Sequence, residues 1–231
     1  MKRIGILGGS SDQATADYYR RLNACVNRRL GGFNTAELVV SSMNFALAEA
    51  WVRLGEWDAA AQYLTGRAEA LERAGADLLI CVSNTLHRCA EVFTANLGIP
   101  FLHIVDPTAT AIRAAGLSRI GLLGTKPVMS TDYLKRRYRE RFGVEVLVPD
   151  PAAQDEANRI IFHELCRGDF RPESKARYLA MVDALAARGA EGVILGCTEI
   201  PLLIAQADRP EVRMFDTVEL HVEAAVSAAL A

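Results

Sequence analysis

The sequence predicts an α/β fold of two similar lobes, each a mainly parallel sheet flanked by helices. Three observations carry that expectation. Short β-rich apolar runs alternate with amphipathic stretches along the chain. Several of those stretches end at a glycine, as helices often do. Two segments of the first half also recur in the second half at nearly one offset.

In chain order the apolar runs are RIGILG (3–8), AELVVSS (36–42), DLLICVS (77–83), FLHIV (101–105), RIGLLG (119–124), VEVLVP (144–149) and GVILGC (192–197). Runs that are apolar throughout suit strands covered on both faces, as in a parallel sheet. Between them lie EWDAAAQYLTGRAEALERAG (56–75), STDYLKRRYRERFG (130–143) and ESKARYLAMVDALAARG (173–189), whose apolar residues recur at helical spacing.

The repeat says more than the alternation. RIGILGGS (3–10) matches RIGLLGTK (119–126) at an offset of 116, and ALERAGADLLICVSNTL (70–86) lies over ALAARGAEGVILGCTEI (184–200) without a gap at an offset of 114. Two halves of like topology leave such a trace, so residues 1–113 with 211–231 form the expected first lobe and 114–210 the second, related by a pseudo-twofold axis. Ligands of open α/β sheets bind beyond the carboxyl ends of the strands. The four matched ends, Gly8–Ser11, Ser83–Thr85, Gly124–Thr125 and Cys197–Glu199, are therefore expected to line one cleft between the lobes.

Composition narrows the function classes. The chain has 231 residues, 51% of them hydrophobic and 23% charged, enough for a sizeable core. Its net charge of −2 is scattered, so no broad basic field exists for a nucleic acid. RRLNACVNRR and KRRYRER read as solvent faces of helices. MKRIGILGGSS lacks the features of a signal peptide and no run reaches membrane length, which predicts a cytoplasmic protein without a membrane partner. Five cysteines without a CxxC pair argue against a disulfide framework or a zinc ribbon. His87 and Cys89 lack a second ligand pair, so no metal is expected.

Cys25, Cys81, Cys89 and Cys166 fall within apolar or helical patterns and read as core. Cys197 differs, because it ends a strand, is no capping residue, and precedes TEIPLL, which would place it at a helix N-terminus where a thiolate is stabilised. Its counterpart in the repeat is Ser83. Ser10, Thr15 and Ser130 read first as helix N-caps.

IGILGGSS with ATADYY, then SNTLH, LLGT and GCTEIPLL, spaced as here over nearly the whole chain, resemble the aspartate/glutamate racemase family. The resemblance implies two α/β lobes with the site between them, a small amino acid or related carboxylate as substrate, no pyridoxal phosphate or other cofactor, and a homodimer. Typical members present one cysteine in CNT and one in GCT on opposite faces of the substrate α-carbon, where one thiolate removes a proton and the other thiol returns one. Here Cys197 matches the second and Ser83 stands at the first, as in broad-specificity members with a hydroxyl residue there. An alcohol is too weak an acid to sit as an alkoxide at neutral pH, so one enantiomer is expected to be handled better than the other.

Asn84, Thr85, Thr125 and Thr198, with Ser10 and Ser11, match the family's substrate-binding set. Glu199 is counted with this set, and could also orient the thiol or accept a proton. Relatives dedicated to aspartate use an arginine after the second strand and a lysine in the second lobe. This sequence has no basic residue between Ser41 and Trp51, and IIFHELCRG offers only His163 and Arg167. Two other readings fit a single cysteine: a decarboxylase or isomerase of the same superfamily, and an amino-acid-binding relative without catalysis.

Overall fold

The computed structural model describes all of Met1–Ala231. The chain divides into two compact units, Met1–Ile104 with Val218–Ala231, and Val105–Thr217. The first unit runs β1 (Ile4–Gly8), α1 (Asp12–Leu30), β2 (Leu38–Ser42), α2 (Phe45–Leu54), α3 (Trp57–Arg73), β3 (Leu78–Cys81), a 3₁₀ turn (Thr85–Cys89), α4 (Ala90–Phe93) and β4 (Phe101–Leu102). The second unit follows with α5 (Val105–Ala114), β5 (Arg119–Gly124), α6 (Lys126–Ser130), α7 (Tyr133–Phe142) and β6 (Glu145–Leu147). It continues with α8 (Pro151–His163), α9 (Pro172–Ala187), β7 (Gly192–Gly196), α10 (Ile200–Leu203) and β8 (Arg213–Asp216). The last helix, α11 (Thr217–Leu230), returns to the first unit from Val218 on.

Both sheets are parallel and have one plan, β2-β1-β3-β4 in the first unit and β6-β5-β7-β8 in the second. The repeat therefore maps β1 onto β5 and β3 onto β7, the two central strands of each sheet. In each order the chain steps outward from its first strand, then crosses to the other side. That reversal falls between the two central strands, beyond whose carboxyl ends open α/β sheets bind their ligands.

Alternating side chains explain why both faces of the first sheet are buried. Ile4 and Ile6 of β1 with Leu78 and Ile80 of β3 pack against Tyr18, Leu22 and Val26 of α1 and Val222 and Val226 of α11. Leu7, Leu79 and Cys81 point the other way, onto Leu64, Ala68 and Leu71 of α3. In the second unit Leu123, Val193 and Leu195 meet Ile160 and Ile161 of α8 and Tyr178, Val182 and Leu185 of α9. The dense basic stretches are matched by acids: Arg28 and Arg29 pair with Glu223, and Arg137 grips Asp106 through two bonds of 2.6 Å.

The unit boundaries differ from the expected 113 and 211. α5 packs on α7 and β8, so it belongs to the second unit rather than the first. β8 extends the second sheet, its register running from Gly192↔Arg213 to Leu195↔Asp216, so the chain leaves that unit only after Thr217.

Candidate active site

β7 ends at Gly196, which lies in register with Gly124 of β5. A Cβ on Gly196 would sit 2.5 Å from Leu122 Cδ1 and 2.8 Å from the Leu123 carbonyl oxygen, so the two strand ends approach as closely as glycine allows. Directly beyond come Cys197, Thr198 and Glu199, all buried, and the Ile200 N–H closes the turn on the Cys197 carbonyl at 3.1 Å. The Cys197 thiol donates to Glu199 Oε2 at 3.0 Å, and the Thr198 hydroxyl donates to that same oxygen at 2.7 Å. Glu199 is only 2% exposed, and its other oxygen, Oε1, is buried without a hydrogen-bond partner.

This geometry corrects the expected thiolate. Burial, and next the Glu199 carboxylate beside it, push the Cys197 thiol well above its ordinary range. The helix that follows is the four residues of α10, too short for an appreciable dipole. The Cys197 thiol is thus placed to donate to a carboxylate, which favours its protonated form. The Thr198 hydroxyl proton is likewise committed to Glu199 in this state. Thr125, buried at the matching end of β5, is the N-cap residue of α6, and its carbonyl accepts the Met129 N–H at 3.1 Å.

In the first unit the end of β1 turns through Gly9, whose φ of +84° and close approach to the Met43 main chain exclude a side chain. Thr15 fixes that turn: its hydroxyl accepts the Gly9 N–H and donates to the Ser11 carbonyl, both at 2.8 Å. Ser11 is the N-cap of α1, accepting the Ala14 N–H at 3.2 Å, and Ser10 beside it is half-buried. The expected capping by Thr15 and Ser130 is not what forms, since each hydroxyl instead donates to the carbonyl four residues back.

The matching triplet of the first unit starts at half-buried Ser83. Its hydroxyl accepts the Leu86 N–H at 3.3 Å, and its carbonyl accepts from His87 Nδ1 at 2.7 Å. Asn84 and Thr85 are buried next to it. The structure thus brings Ser10, Ser11, Ser83, Asn84 and Thr85 to adjacent strand ends of one sheet, and Thr125 and Cys197–Glu199 to those of the other. His87, weighed from the sequence only as a metal ligand beside Cys89, stands four residues after Ser83 in SNTLH and bonds its carbonyl instead.

The remaining thiols behave as core. All five cysteines are free, and burial pushes Cys81 up to about 12 and Cys89 up to about 11. No group of three or more His, Cys, Asp or Glu side chains is placed to hold a metal ion. No helix is long and apolar enough to cross a membrane.

A model of the Asp/Glu/hydantoin racemase family matches residues 4–225. A crystal structure of a Yersinia pestis protein assigned to the Asp/Glu racemases superposes with a TM-score of 0.91 at 39% identity, covering 100% of both chains. An aspartate racemase homologue from Pyrococcus horikoshii superposes with a TM-score of 0.84 at 35% identity, again over 100% of both. A glutamate racemase of Geobacter metallireducens is 29% identical over 150 residues, 62% of this chain but only 53% of that protein. With a family match over nearly its whole length, a shared fold and the family's motifs at the strand ends, the chain belongs to the Asp/Glu/hydantoin racemase family.

Proposed function

We propose that the chain is a cofactor-independent racemase of amino acids with aspartate- or glutamate-like side chains. One observation carries this reading: the equivalent central strands of two like-ordered sheets, β3 and β7, are followed at once by Ser83 and Cys197. Inverting a stereocentre through a planar carbanion needs an acid and a base on opposite faces of the α-carbon. A duplicated unit supplies one candidate group per copy, and the family's substrates are small amino acids.

The chemistry follows from the resting state of the thiol. When Cys197 acts as base, its proton first passes to Glu199 Oε2, the substrate C–H proton then goes to the sulfur, and a proton returns from the Ser83 side. That proton comes from the hydroxyl or from a water it holds, and exchange with solvent then takes the extra proton off Glu199 and restores the one lost on the Ser83 side. In the opposite direction Cys197 is already in the form that donates. Asn84, Thr85 and Thr125, with Ser10, Ser11 and backbone N–H groups, hold the substrate carboxylate as enolate-like charge grows on it. The substrate ammonium is the cation that buried Glu199 Oε1 lacks, and Thr198 steadies that carboxylate. Ser83 in the first position supports the hydroxyl-bearing, broad-specificity type of member, with one enantiomer favoured. Free thiols throughout support a reducing cytoplasm, and the chain is proposed to work as a homodimer.

Proton NMR of each enantiomer of aspartate and glutamate in D₂O tests the reading. The wild type should wash the α-proton out and build up the other enantiomer, and Cys197→Ala, still folded, should do neither. Carbon dioxide release from disubstituted malonates without α-exchange would favour the decarboxylase. Ligand-dependent thermal stabilisation with no turnover would favour a binding protein.

A further inference from the structure

β4 is only two residues long because its partner leaves: the ladder pairs Leu79↔Phe101 and Ile80↔Leu102, then β3 turns off through Ser83 into the 3₁₀ turn. The next stretch, His103–Ile104, has no strand beside it, yet Ile104 is fully buried. A side chain holds its N–H. His87, 3% exposed, accepts the Ile104 N–H on Nε2 at 3.2 Å and faces the Ser83 carbonyl with Nδ1 at 2.7 Å.

Those two partners fix the ring's chemistry. A backbone N–H can only donate and a carbonyl can only accept, so His87 is the neutral Nδ1–H tautomer. Rotation is hindered as well, since the His103 ring lies edge-on at 4.5 Å and the Phe101 and His221 rings lie at 5.5 and 6.3 Å. His221 reaches the same strand, donating from Nε2 to the Leu102 carbonyl at 2.9 Å with Nδ1 2.9 Å from the Tyr18 hydroxyl.

We infer that His87 is a positioning residue for Ser83, a rigid neutral clamp that ties the Ser83 main chain to the end of β4 and so fixes where the first-unit hydroxyl stands. The inference rests on the proposed racemase reading, in which the Ser83 side serves one face of the α-carbon. His87 need not touch the substrate. Its effect is on geometry, and a misplacement of about 1 Å can cost about 10²-fold in rate.

Two variants separate the two bonds. In His87→Asn the amide nitrogen takes the place of Nδ1 and keeps the Ser83 bond while removing the bond to the Ile104 N–H. In His87→Gln the amide oxygen takes the place of Nε2, keeping the Ile104 bond and releasing Ser83. The readout is the ratio of enantiomer inversion to α-deuterium exchange in D₂O, because exchange at the Cys197 face survives when return from the Ser83 side is impaired. His87→Gln should lower that ratio about tenfold or more. His87→Asn should hold it within about threefold of wild type while melting at a lower temperature. Equal ratios in all three proteins, or losses that track stability alone, would overturn the inference. Nitrogen-15 NMR of histidine-labelled wild type decides independently, should the variants not fold or the wild type not racemise. A neutral ring with a slowly exchanging Nδ1–H supports the clamp, and an Nε2–H tautomer or a cationic ring at pH 7 overturns it. Absence of both exchange and inversion in the wild type would instead sink the racemase reading.

Discussion

The Cys197 thiol points at Glu199 Oε2 across 3.0 Å, and the two residues share one buried turn at the end of β7. A carboxylate this close has two opposed effects. Its charge makes the thiol harder to ionise, yet its oxygen is the group able to take the thiol's proton when the reaction needs a thiolate.

Glu199→Gln tests which effect governs turnover. The amide can still accept the S–H bond but cannot take the proton. Losing a general base costs typically about 10²–10⁴-fold, so kcat for the direction that starts at Cys197 should fall by about 10² or more. KM should change much less. The pH profile adds a second reading with a definite sign. The Glu199 charge raises the thiol, so removing it moves ionisation of Cys197 downward and shifts the alkaline rise of kcat/KM to lower pH. An unshifted profile with unchanged kcat would exclude Glu199 from the proton path.

Ser83→Cys restores a thiol on the first unit and should raise activity toward the poorly used enantiomer, bringing the two directions closer together. Ser83→Ala should lose that direction while keeping α-deuterium exchange at the Cys197 face. Because the hydroxyl accepts the Leu86 N–H, Ser83→Ala should also cost about 0.5–2 kcal/mol of stability, as lost caps do. Equal losses in both directions for Ser83→Cys would assign Ser83 to the turn alone.

Particular residues show how far the sequence could be read. The strand ends were legible because Gly8, Gly124 and Gly196 close continuous apolar runs and because the repeat aligned Ser83 with Cys197. β8 escaped notice for the opposite reason: RMFD at an edge carries an exposed Arg213 and a half-buried Asp216, so it shows no apolar run. The setting of Cys197 is not legible in this way, because spacing reveals neither its burial nor that α10 stops after four residues. Ser11 caps α1 where its neighbours were expected to, a shift of one residue that only φ and ψ decide.

Stability above neutral pH should report on the core thiols. Burial raises Cys81 to about 12, whereas an unfolded chain ionises its thiols near the reference value of about 8.5. Native Cys81 keeps its proton where the unfolded chain has lost its own. Its contribution is therefore complete below about pH 8.5 and is lost progressively as pH rises toward 12, by up to about 1.4 kcal/mol per pH unit. Urea midpoints measured from pH 8 to 10.5 should fall for the wild type. In Cys81→Ala they should fall less steeply, although from a lower start because a buried sulfur is gone. Parallel slopes for the two proteins would show that Cys81 does not drive the alkaline loss.

Gly196 joins packing to chemistry most directly, because the residue after it is Cys197. In Gly196→Ala the new methyl group would meet Leu122 Cδ1 at 2.5 Å and the Leu123 carbonyl at 2.8 Å. The leucine tip can move aside, but the carbonyl belongs to the neighbouring strand, so β5 and β7 must part at their ends. Overpacking of this kind costs about 1–3 kcal/mol. The displaced strand end carries the thiol with it, so kcat should fall by at least about tenfold at a temperature where the variant is fully folded. Gly116→Ala supplies the control. Its φ of +76° makes alanine strained there, but a Cβ would meet nothing within 4 Å, and the turn after α5 leads into the start of β5, the opposite end of that strand from Thr125. It should lose about 1–2 kcal/mol while kcat stays near wild type. If Gly196→Ala resembles Gly116→Ala in kcat as well as in stability, the close approach of the two strand ends serves packing alone and does not set the position of Cys197.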